Sequence, residues 1–330
     1  MKAVQFHKTG GPEVLVYEDV PNPTLKDGEV LIRIEAVGLN FADVIRRRGD
    51  PYPEASPPPF ILGAEVAGTI AAAGNGVTSL EIGTPVLAVP GSGGYAQYIC
   101  LPAAMVIPLP SGISAIHAAA LMAHGLSAAV ALRKAARLAS GESVLIEAAA
   151  GGVGSFAVQL AKVYGAGKII AAASTPEKRA IAERLGADAS VDYTQPGWAE
   201  KVRELTGGRG VDIVLEMTGG DTAREAFKAM APFGRMVYIG QSSGETIHIE
   251  PSQLMVPNHT VTGFYVGAYL AFPDLIQSTF GEIIGHVMSG KVSIQLGKVL
   301  PLSLAAEAHR LLEGRKTQAK WCCNLGLRPD

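Results

Sequence analysis

The sequence predicts an α/β fold with two domains, one rich in β-strands and one built on a doubly wound parallel sheet. Three observations support this prediction. The chain has 330 residues, of which 48% are hydrophobic and 18% are charged, so it can form two apolar cores. Its first part consists of short, apolar, β-branched segments bounded by glycine and proline. From about residue 115, apolar runs alternate with helical patterns.

The first part of the chain favours a mostly antiparallel β domain. Residues 30–37 alternate apolar and polar side chains after a turn, which is typical of a strand with one buried face. Residues 64–73 and 85–89 are apolar segments flanked by glycine, and we predict strands there as well. Residues 51–59 contain five prolines and are predicted to form a loop.

The second part of the chain favours a parallel sheet covered by helices. A helix is predicted at residues 115–138, and continuous apolar strands then alternate with helices, which indicates a sheet buried on both faces. After about residue 262 this alternation ends. The predicted strands are residues 143–148, 168–173, 211–216, 235–240, 298–302 and 321–325, and the predicted helices are residues 154–164, 176–185, 221–230 and 272–289.

Composition and charge exclude several classes of function. The formal net charge of -2 provides no basic field for nucleic acid or an anionic membrane, so we expect neither as a partner. Three cysteines are too few for a disulfide framework, and the N-terminus lacks the apolar region of a signal peptide, so we expect a cytoplasmic protein. The uncharged stretch at residues 115–132 contains two histidines and is interpreted as a buried core helix rather than a membrane span.

A glycine-rich turn after the first parallel strand predicts a dinucleotide site. The turn leads into a helix, and the amide groups at a helix N-terminus bind phosphate. In the pattern G-x-G-x-x-G, Ala149 replaces the first glycine. The alternative is a turn with a structural function only. The predicted contact residues are Ala150, Gly151, Gly152, Val153 and Gly154.

The end of the next strand favours NADPH over NADH. An acidic residue is expected there if the site binds the ribose hydroxyl of NAD, but the strand ends on Ala173 and continues with Ser174. Ser174 can donate a hydrogen bond to a ribose phosphate, and Lys178 and Arg179 can supply positive charge. The alternative is that both basic residues simply lie on the solvent-exposed face of a helix and do not bind the phosphate.

These motifs resemble the zinc-independent quinone oxidoreductase (ζ-crystallin-like) branch of the medium-chain dehydrogenase/reductase superfamily. The resemblance covers nearly the whole chain. It implies a GroES-like catalytic domain from residues 1–119 and 262–330, a Rossmann NADPH-binding domain from residues 120–261, and a homodimer or homotetramer. The segments that carry it are 7–15 (HKTGGPEVL), 38–43 (GLNFAD), 63–68 (GAEVAG), 94–98 (GYAQY), 141–154 (GESVLIEAAAGGVG) and 315–320 (RKTQAK).

The resemblance also implies functions for individual residues. Asn40 and Asp43 match polar positions at the nicotinamide end of the site, and Tyr52 is a candidate proton donor. Glu147 departs from the family, in which histidine is more usual, and Ile45 stands near a position where tyrosine is common. The expected further cofactor contacts are Tyr193, Gly240, Phe264, Arg315 and Lys316.

We expect no metal ion. The positions that match the three catalytic zinc ligands of related alcohol dehydrogenases are Asn40, Ala64 and His124, and these do not supply the three ligands that catalytic zinc needs. We therefore interpret His124 as a core or cofactor-adjacent residue. The structural zinc lobe with four cysteines is also missing, because Cys100 is the first cysteine and the other two are Cys322 and Cys323.

The predicted activity is hydride transfer from NADPH to a quinone or an α,β-unsaturated carbonyl compound. Without zinc, no Lewis acid stabilises an alkoxide, so alcohol oxidation is disfavoured. Asn40 would orient the acceptor, and water or Tyr52 would supply the proton. Two alternatives remain open: an enoyl-thioester reductase, and a non-catalytic NADPH-binding protein similar to lens crystallins or to RNA-binding relatives.

Overall fold

Both ends of the chain contribute to one structural unit, and the middle of the chain forms a second. The computed structural model describes residues 1–314 and 320–324. The first unit consists of Met1–Ala123 and the described part of Gln295–Asp330, and the second consists of His124–Ile294.

The first unit begins with eight strands and one helix, and a second helix continues into the second unit. Short 3-10 turns connect some of these elements. The strands are β1 (Lys2–Phe6), β2 (Leu15–Asp19), β3 (Glu29–Gly38), β4 (Phe60–Ile61), β5 (Val66–Ala73), β6 (Pro85–Ala88), β7 (Tyr98–Pro102) and β8 (Val106–Pro108), and the helices are α1 (Phe41–Arg48) and α2 (Ala115–Val130).

The second unit alternates strands and helices as far as residue 263. The strands are β9 (Ser143–Ile146), β10 (Lys168–Ala172), β11 (Ala189–Val191), β12 (Val211–Glu216), β13 (Met230–Tyr238) and β14 (Thr260–Gly263). The helices are α3 (Gly152–Val163), α4 (Pro176–Arg184), α5 (Trp198–Leu205), α6 (Gly220–Lys228), α7 (Pro251–Met255), α8 (Val266–Tyr269) and α9 (Pro273–Met288).

The chain returns to the first unit with β15 (Leu296–Pro301), α10 (Ala305–Glu313) and β16 (Lys320–Asn324). In the described part of this unit, the larger sheet has the order β15-β16-β3-β5-β6-β8, with β7 also paired to β3, and the smaller sheet has the order β2-β1-β4. All of these pairs are antiparallel except β15 with β16. Along the first half of β3, Val30, Ile32 and Ile34 are buried and alternate with more exposed residues, because successive side chains of a strand point to opposite faces.

The sheet of the second unit is parallel throughout, with the order β11-β10-β9-β12-β13-β14 within residues 124–294. From β9, the chain adds β10 and β11 on one side, and β12, β13 and β14 on the other. The strand order therefore reverses between β9 and β12. In such sheets, ligands bind at the carboxyl ends of the strands where the order reverses.

The division into units differs from the predicted boundary at residue 262. Residues 262–294 lie with the second unit rather than with the chain ends. Glu282 on α9 forms an ion pair with Arg133. After this helix, the backbone amide of Ser293 donates to Gln159 Oε1 at 2.7 Å. Helical periodicity alone predicted α9 but could not tell which unit it would join.

The uncharged helix that includes α2 is a core element. In the described part of the chain, Ala115–Ala135 is the one helix that is long and apolar enough to cross a membrane, but 72% of its apolar 18-residue segment is buried inside the protein. A helix in a protein core can be as long and as apolar as a membrane span, and the burial observed here agrees with the predicted core helix.

Candidate functional site

The glycine-rich turn between β9 and α3, predicted to bind phosphate, is tight and brings the helix close to the strand. Ala148 adopts a left-handed backbone conformation with φ of 46°, and its carbonyl oxygen accepts a hydrogen bond from the amide of Gly151 at 2.7 Å. A Cβ atom on Gly154 would overlap the Ala148 oxygen and lie 2.7 Å from Ala149 Cα. Gly154 therefore allows the helix to pack closely on the strand, which is the function of the third glycine in such turns.

Gly152 leaves room for a histidine. A Cβ atom at this position would overlap the imidazole ring of His124, so the ring packs directly against the turn. The predicted contact residues around it are partly or fully buried: Ala150 and Gly154 are buried, while Gly151, Gly152 and Val153 are half-buried. The structure thus places His124 beside the predicted phosphate-binding turn.

The segment after β10 carries the residues predicted to select NADPH. Ser174 and Lys178 are half-buried, and the hydroxyl of Thr175 accepts from the amide of Lys178 at 3.3 Å, which caps α4. Arg179 Nη1 forms an ion pair with Asp192 Oδ2 at 2.9 Å and donates to Ala173 O at 3.2 Å. Asp192, which follows β11, was missed from the sequence. Its charge is neutralised by Arg179.

The other predicted cofactor residues lie at separate points of the second unit. Tyr193 packs against an apolar core that includes residues of β10, β11 and α5, and Gly240 follows β13. Phe264 follows β14, where its amide donates to Tyr238 O at 2.9 Å and its ring centroid lies 5.6 Å from that of Tyr269. Arg315 and Lys316 lie outside the described residues.

Asn40 and Asp43 form a polar cluster at the start of α1 with a glutamate that sequence reasoning missed. Asn40 Nδ2 donates to Glu65 Oε1 at 3.0 Å, and Glu65 Oε2 accepts from the amide of Ala123 at 2.7 Å. Glu65 is fully buried. A carboxylate held in this way fixes the orientation of the Asn40 amide. In the sequence, Glu65 was indicated only by its position in residues 63–68 (GAEVAG), one of the segments that carry the family resemblance.

Asp43 is a buried acceptor. Its carboxylate accepts from the amides of Asn40 at 2.9 Å and Gly63 at 3.2 Å, and from the Tyr95 hydroxyl at 3.5 Å. It is 1% exposed. These contacts join the start of α1 to the turn before Glu65. These contacts hold the start of α1 in place, and the predicted function of Asp43 at the nicotinamide end of the site stays a prediction.

A second buried cluster supports Asp43 and was not predicted. Arg47 Nη1 lies 3.3 Å from His309 Nδ1, His309 Nε2 lies 3.1 Å from the Tyr95 hydroxyl, and Arg47 Nη2 donates to Glu313 Oε1 at 2.7 Å. Burial and the charge of Arg47 lower the pKa of His309 from 6.5 to about 3, so its ring is neutral. Because arginine only donates, Nδ1 accepts and Nε2 donates to Tyr95, whose hydroxyl donates to Asp43.

Tyr52 lies in the proline-rich loop and contacts an arginine of α1. The guanidinium carbon of Arg46 lies 5.3 Å from the ring centroid of Tyr52 and 4.7 Å from that of Phe60. Arg46 also donates to Ser56 Oγ at 2.7 Å and to Gly91 O at 2.6 Å. Arg46 therefore holds the loop by stacking and by hydrogen bonds.

Comparison with known proteins identifies the family. Two family descriptions match, "Alcohol dehydrogenase GroES-like domain" over residues 26–111 and "Zinc-binding dehydrogenase" over residues 152–280. The quinone oxidoreductase of Pseudomonas aeruginosa is 36% identical over 96% of this chain and 97% of its own. The chain belongs to the quinone oxidoreductase branch of the medium-chain dehydrogenase/reductase superfamily.

Two other members of this superfamily extend the comparison. The 2-haloacrylate reductase of a Burkholderia species is 33% identical over 96% of each chain. The crystal structure of Escherichia coli quinone oxidoreductase complexed with NADPH has a TM-score of 0.92 and 31% identity, and the match covers 98% of this chain and 100% of that one. The predicted family and fold class are confirmed, and the protein is a quinone-oxidoreductase-like enzyme.

The donor set of this quinone oxidoreductase relative does not fit a catalytic zinc ion. Ala64 has no ligand atom, and Asn40 uses its amide nitrogen to bind Glu65. Within residues 1–314 and 320–324, no three His, Cys, Asp or Glu side chains lie close enough together to hold a metal. The positions that match the catalytic zinc ligands of related enzymes therefore lack the three donors that such a site needs, and zinc independence stays a prediction.

Proposed function

We propose that this protein is an NADPH-dependent, zinc-independent reductase that transfers hydride to a quinone or to an α,β-unsaturated carbonyl compound. The observation that carries the proposal is the turn at residues 148–154. It lies at the switch point of the parallel sheet, and the next strand, β10, ends on alanine rather than on an acidic residue. The NADPH complex of the E. coli relative supports the choice of cofactor.

The residues of this chain would bind and orient the reactants. NADPH supplies the hydride when bound. Gly151, Gly152 and the N-terminus of α3 would hold its pyrophosphate, and Ser174 with Lys178 would receive the ribose phosphate. Asn40, fixed by Glu65, would orient the acceptor, and Tyr52 or water would supply the proton.

An electron-poor acceptor suits this set of residues. Quinones and conjugated carbonyl compounds accept hydride without a Lewis acid, whereas alcohol oxidation is disfavoured when no Lewis acid stabilises the alkoxide. The names of two relatives, quinone oxidoreductase and 2-haloacrylate reductase, cover both acceptor types. We further propose that the protein acts in the cytoplasm as a homodimer or homotetramer, with no nucleic acid or membrane as partner.

The test is cofactor oxidation in the presence of EDTA, with NADPH and NADH compared side by side. The acceptors are benzoquinone, phenanthrenequinone, 2-chloroacrylate and crotonyl-CoA. We expect turnover of a quinone or the acrylate that survives EDTA and prefers NADPH. Activity lost with EDTA and restored by zinc would contradict zinc independence. Turnover of crotonyl-CoA alone would favour an enoyl-thioester reductase, and tight NADPH binding without turnover would favour a binding protein.

A further inference from the structure

Two buried glutamates end the strands on either side of the switch point. Glu147 directly follows β9, and Glu216 is the last residue of β12. The two strands pair in parallel, with Leu215 opposite Ile146. Both glutamates are fully buried. Parallel strands that pair in this register end at the same edge of the sheet, so both carboxyl groups lie at the edge where a dinucleotide binds.

Both carboxyl groups bind the turn that follows β12. Glu216 Oε1 accepts from the amides of Thr218 at 2.7 Å and Gly219 at 2.5 Å. Glu147 Oε2 accepts from the amides of Met217 at 3.3 Å and Thr218 at 3.2 Å. Three successive amide groups thus point to the two carboxyl groups, and the amide of Thr218 is shared between them.

The remaining oxygens, Glu147 Oε1 and Glu216 Oε2, are buried and form no hydrogen bond with the described residues. The Thr218 hydroxyl lowers the pKa of Glu147, but by less than burial and Glu216 raise it. Burial raises the pKa of Glu216 above its ordinary value, although the amides of Gly219 and Thr218 and the carboxyl group of Glu147 act in the opposite direction. None of the causes found among the described residues is a cation. Burial and the charge of Glu216 raise the pKa of Glu147 well above its ordinary value. Two adjacent buried carboxyl groups without a cation avoid repulsion by retaining one proton.

The same turn contacts the segment that follows β13. The amides of Ser242 and Ser243 donate to Met217 O at 3.2 Å and to Thr218 O at 2.8 Å. The amide of Gly220 donates to Glu245 O at 3.0 Å. On its other side, Glu147 directly precedes the turn at residues 148–154. The carboxyl pair therefore connects the loops after β9, β12 and β13, which together form one edge of the predicted cofactor site.

We propose that Glu147 and Glu216 share one proton and act as a positioning pair, which holds the turn at residues 217–220 in place for NADPH. The inference rests on the proposed function, because it assumes that NADPH binds at this edge. When the shared proton is lost, the two charges repel each other and the turn is released. NADPH affinity therefore falls as the pH rises, although neither glutamate is required to touch the reacting atoms.

One other titratable side chain in the described region responds to the pair. Tyr238 lies on β13, and burial together with the charges of Glu216 and Glu147 raises its pKa above the ordinary value. It therefore remains neutral and does not compete for the proton. Because the folded state keeps a proton that the unfolded chain releases, the stability contributed by the pair falls as the pH rises above the ordinary glutamate value of 4.5.

The first experiment measures the dissociation constant of NADPH by fluorescence titration from mildly acidic to mildly alkaline pH. The proteins are the wild type, Glu147→Gln, Glu147→Leu and the control Glu200→Gln, which changes an exposed glutamate of α5. For the wild type and Glu200→Gln, we expect the constant to rise by up to about tenfold per pH unit once the shared proton is lost.

Glu147→Gln mimics the protonated acid, so it should bind NADPH with the affinity of the wild type at neutral pH and without the alkaline loss. Glu147→Leu should bind weakly at every pH. A pH dependence in Glu147→Gln equal to that of the wild type would overturn the proposal. So would a wild-type affinity that does not change with pH.

A second measurement, thermal unfolding without cofactor, separates this inference from the proposed function. We expect the melting temperature of the wild type to fall with rising pH and that of Glu147→Gln to fall less. If the wild type did not bind NADPH, the proposal of NADPH as the cofactor would be wrong. A smaller fall of the melting temperature with pH in Glu147→Gln than in the wild type would still support the shared proton. Equal slopes for the two proteins would refute the pair whatever the cofactor.

Discussion

At the scale of single residues, His309 shows how burial selects one protonation state. The ring is 0% exposed and lies between a charged arginine and a tyrosine hydroxyl. Protonation would place a second positive charge beside Arg47 and remove the acceptor that Arg47 needs. The neutral ring thereby completes a hydrogen-bonded chain from Arg47 to Asp43, and Asp43 holds the start of the helix after Asn40.

We expect His309→Gln to lower the free energy of unfolding by about 1–3 kcal/mol at neutral pH. The flexible glutamine amide does not hold an acceptor and a donor at the positions of imidazole Nδ1 and Nε2, so the hydrogen-bonded chain from Arg47 to Tyr95 is broken. The pKa of His309 is about 3 when folded and 6.5 when unfolded, so unfolding takes up a proton between these values. The wild type therefore loses this stability as the pH falls from 6.5 to about 3, and the difference between the two proteins should shrink.

Urea unfolding at neutral and acidic pH measures this difference. His117→Gln serves as the control, since His117 is exposed and bonded only locally to Ser114. A difference between wild type and His309→Gln that stays constant with pH would contradict the neutral buried ring.

At the scale of elements, the junction of β9 and α3 depends on close approach of helix and strand. Gly154→Ala would place a methyl group against Ala148 O and Ala149 Cα, and both are backbone atoms that cannot move aside. We expect a loss of about 1–3 kcal/mol in stability and weaker NADPH binding, because the turn must open to admit the methyl group.

The matched control is Gly281→Ala on α9, where a Cβ atom meets nothing within 4 Å. This control should stabilise the protein by up to about 1 kcal/mol, because alanine favours a helix more than glycine does. Thermal unfolding and NADPH titration of the two variants compare the sites directly. Equal behaviour of the two variants would show that the turn tolerates the methyl group.

At the scale of the whole molecule, the apolar helix Ala115–Ala135 is internal, although its composition would suit a membrane. We expect the protein to remain in the supernatant after ultracentrifugation of a lysate without detergent. Recovery in the membrane pellet that requires detergent for release would contradict the internal position of the helix.

Leu126, which lies in this helix and is 1% exposed, offers a further test. Leu126→Ala should lower the free energy of unfolding by about 2–5 kcal/mol.

Much of the fold follows from patterns within a few residues. Alternation predicted β3, and continuous apolar runs predicted β9, β10, β12 and the second half of β13, but not β11 or β14. The glycines at residues 148–154 predicted a dinucleotide site because a strand precedes them and a helix follows them. Hydrogen bonds inside a helix and the two-residue period of a strand are local, so local sequence reports them. The absence of an acidic residue at the end of β10, which predicted NADPH rather than NADH, could likewise be seen without tertiary information.

The sequence alone thus determined the fold class, the family resemblance and the position of a glycine-rich turn between a strand and a helix. The tertiary structure decided which polar groups meet in the interior. Glu65 binds Asn40 from 25 residues away, His309 reaches Tyr95 across 214, and Glu147 meets Glu216 through the pairing of β9 with β12. Each contact depends on strand register or on the return of the chain end to the first unit. The pattern of residues within one segment does not predict these long-range contacts, because the hydrogen-bond partner of a buried polar group depends on how distant segments pack together.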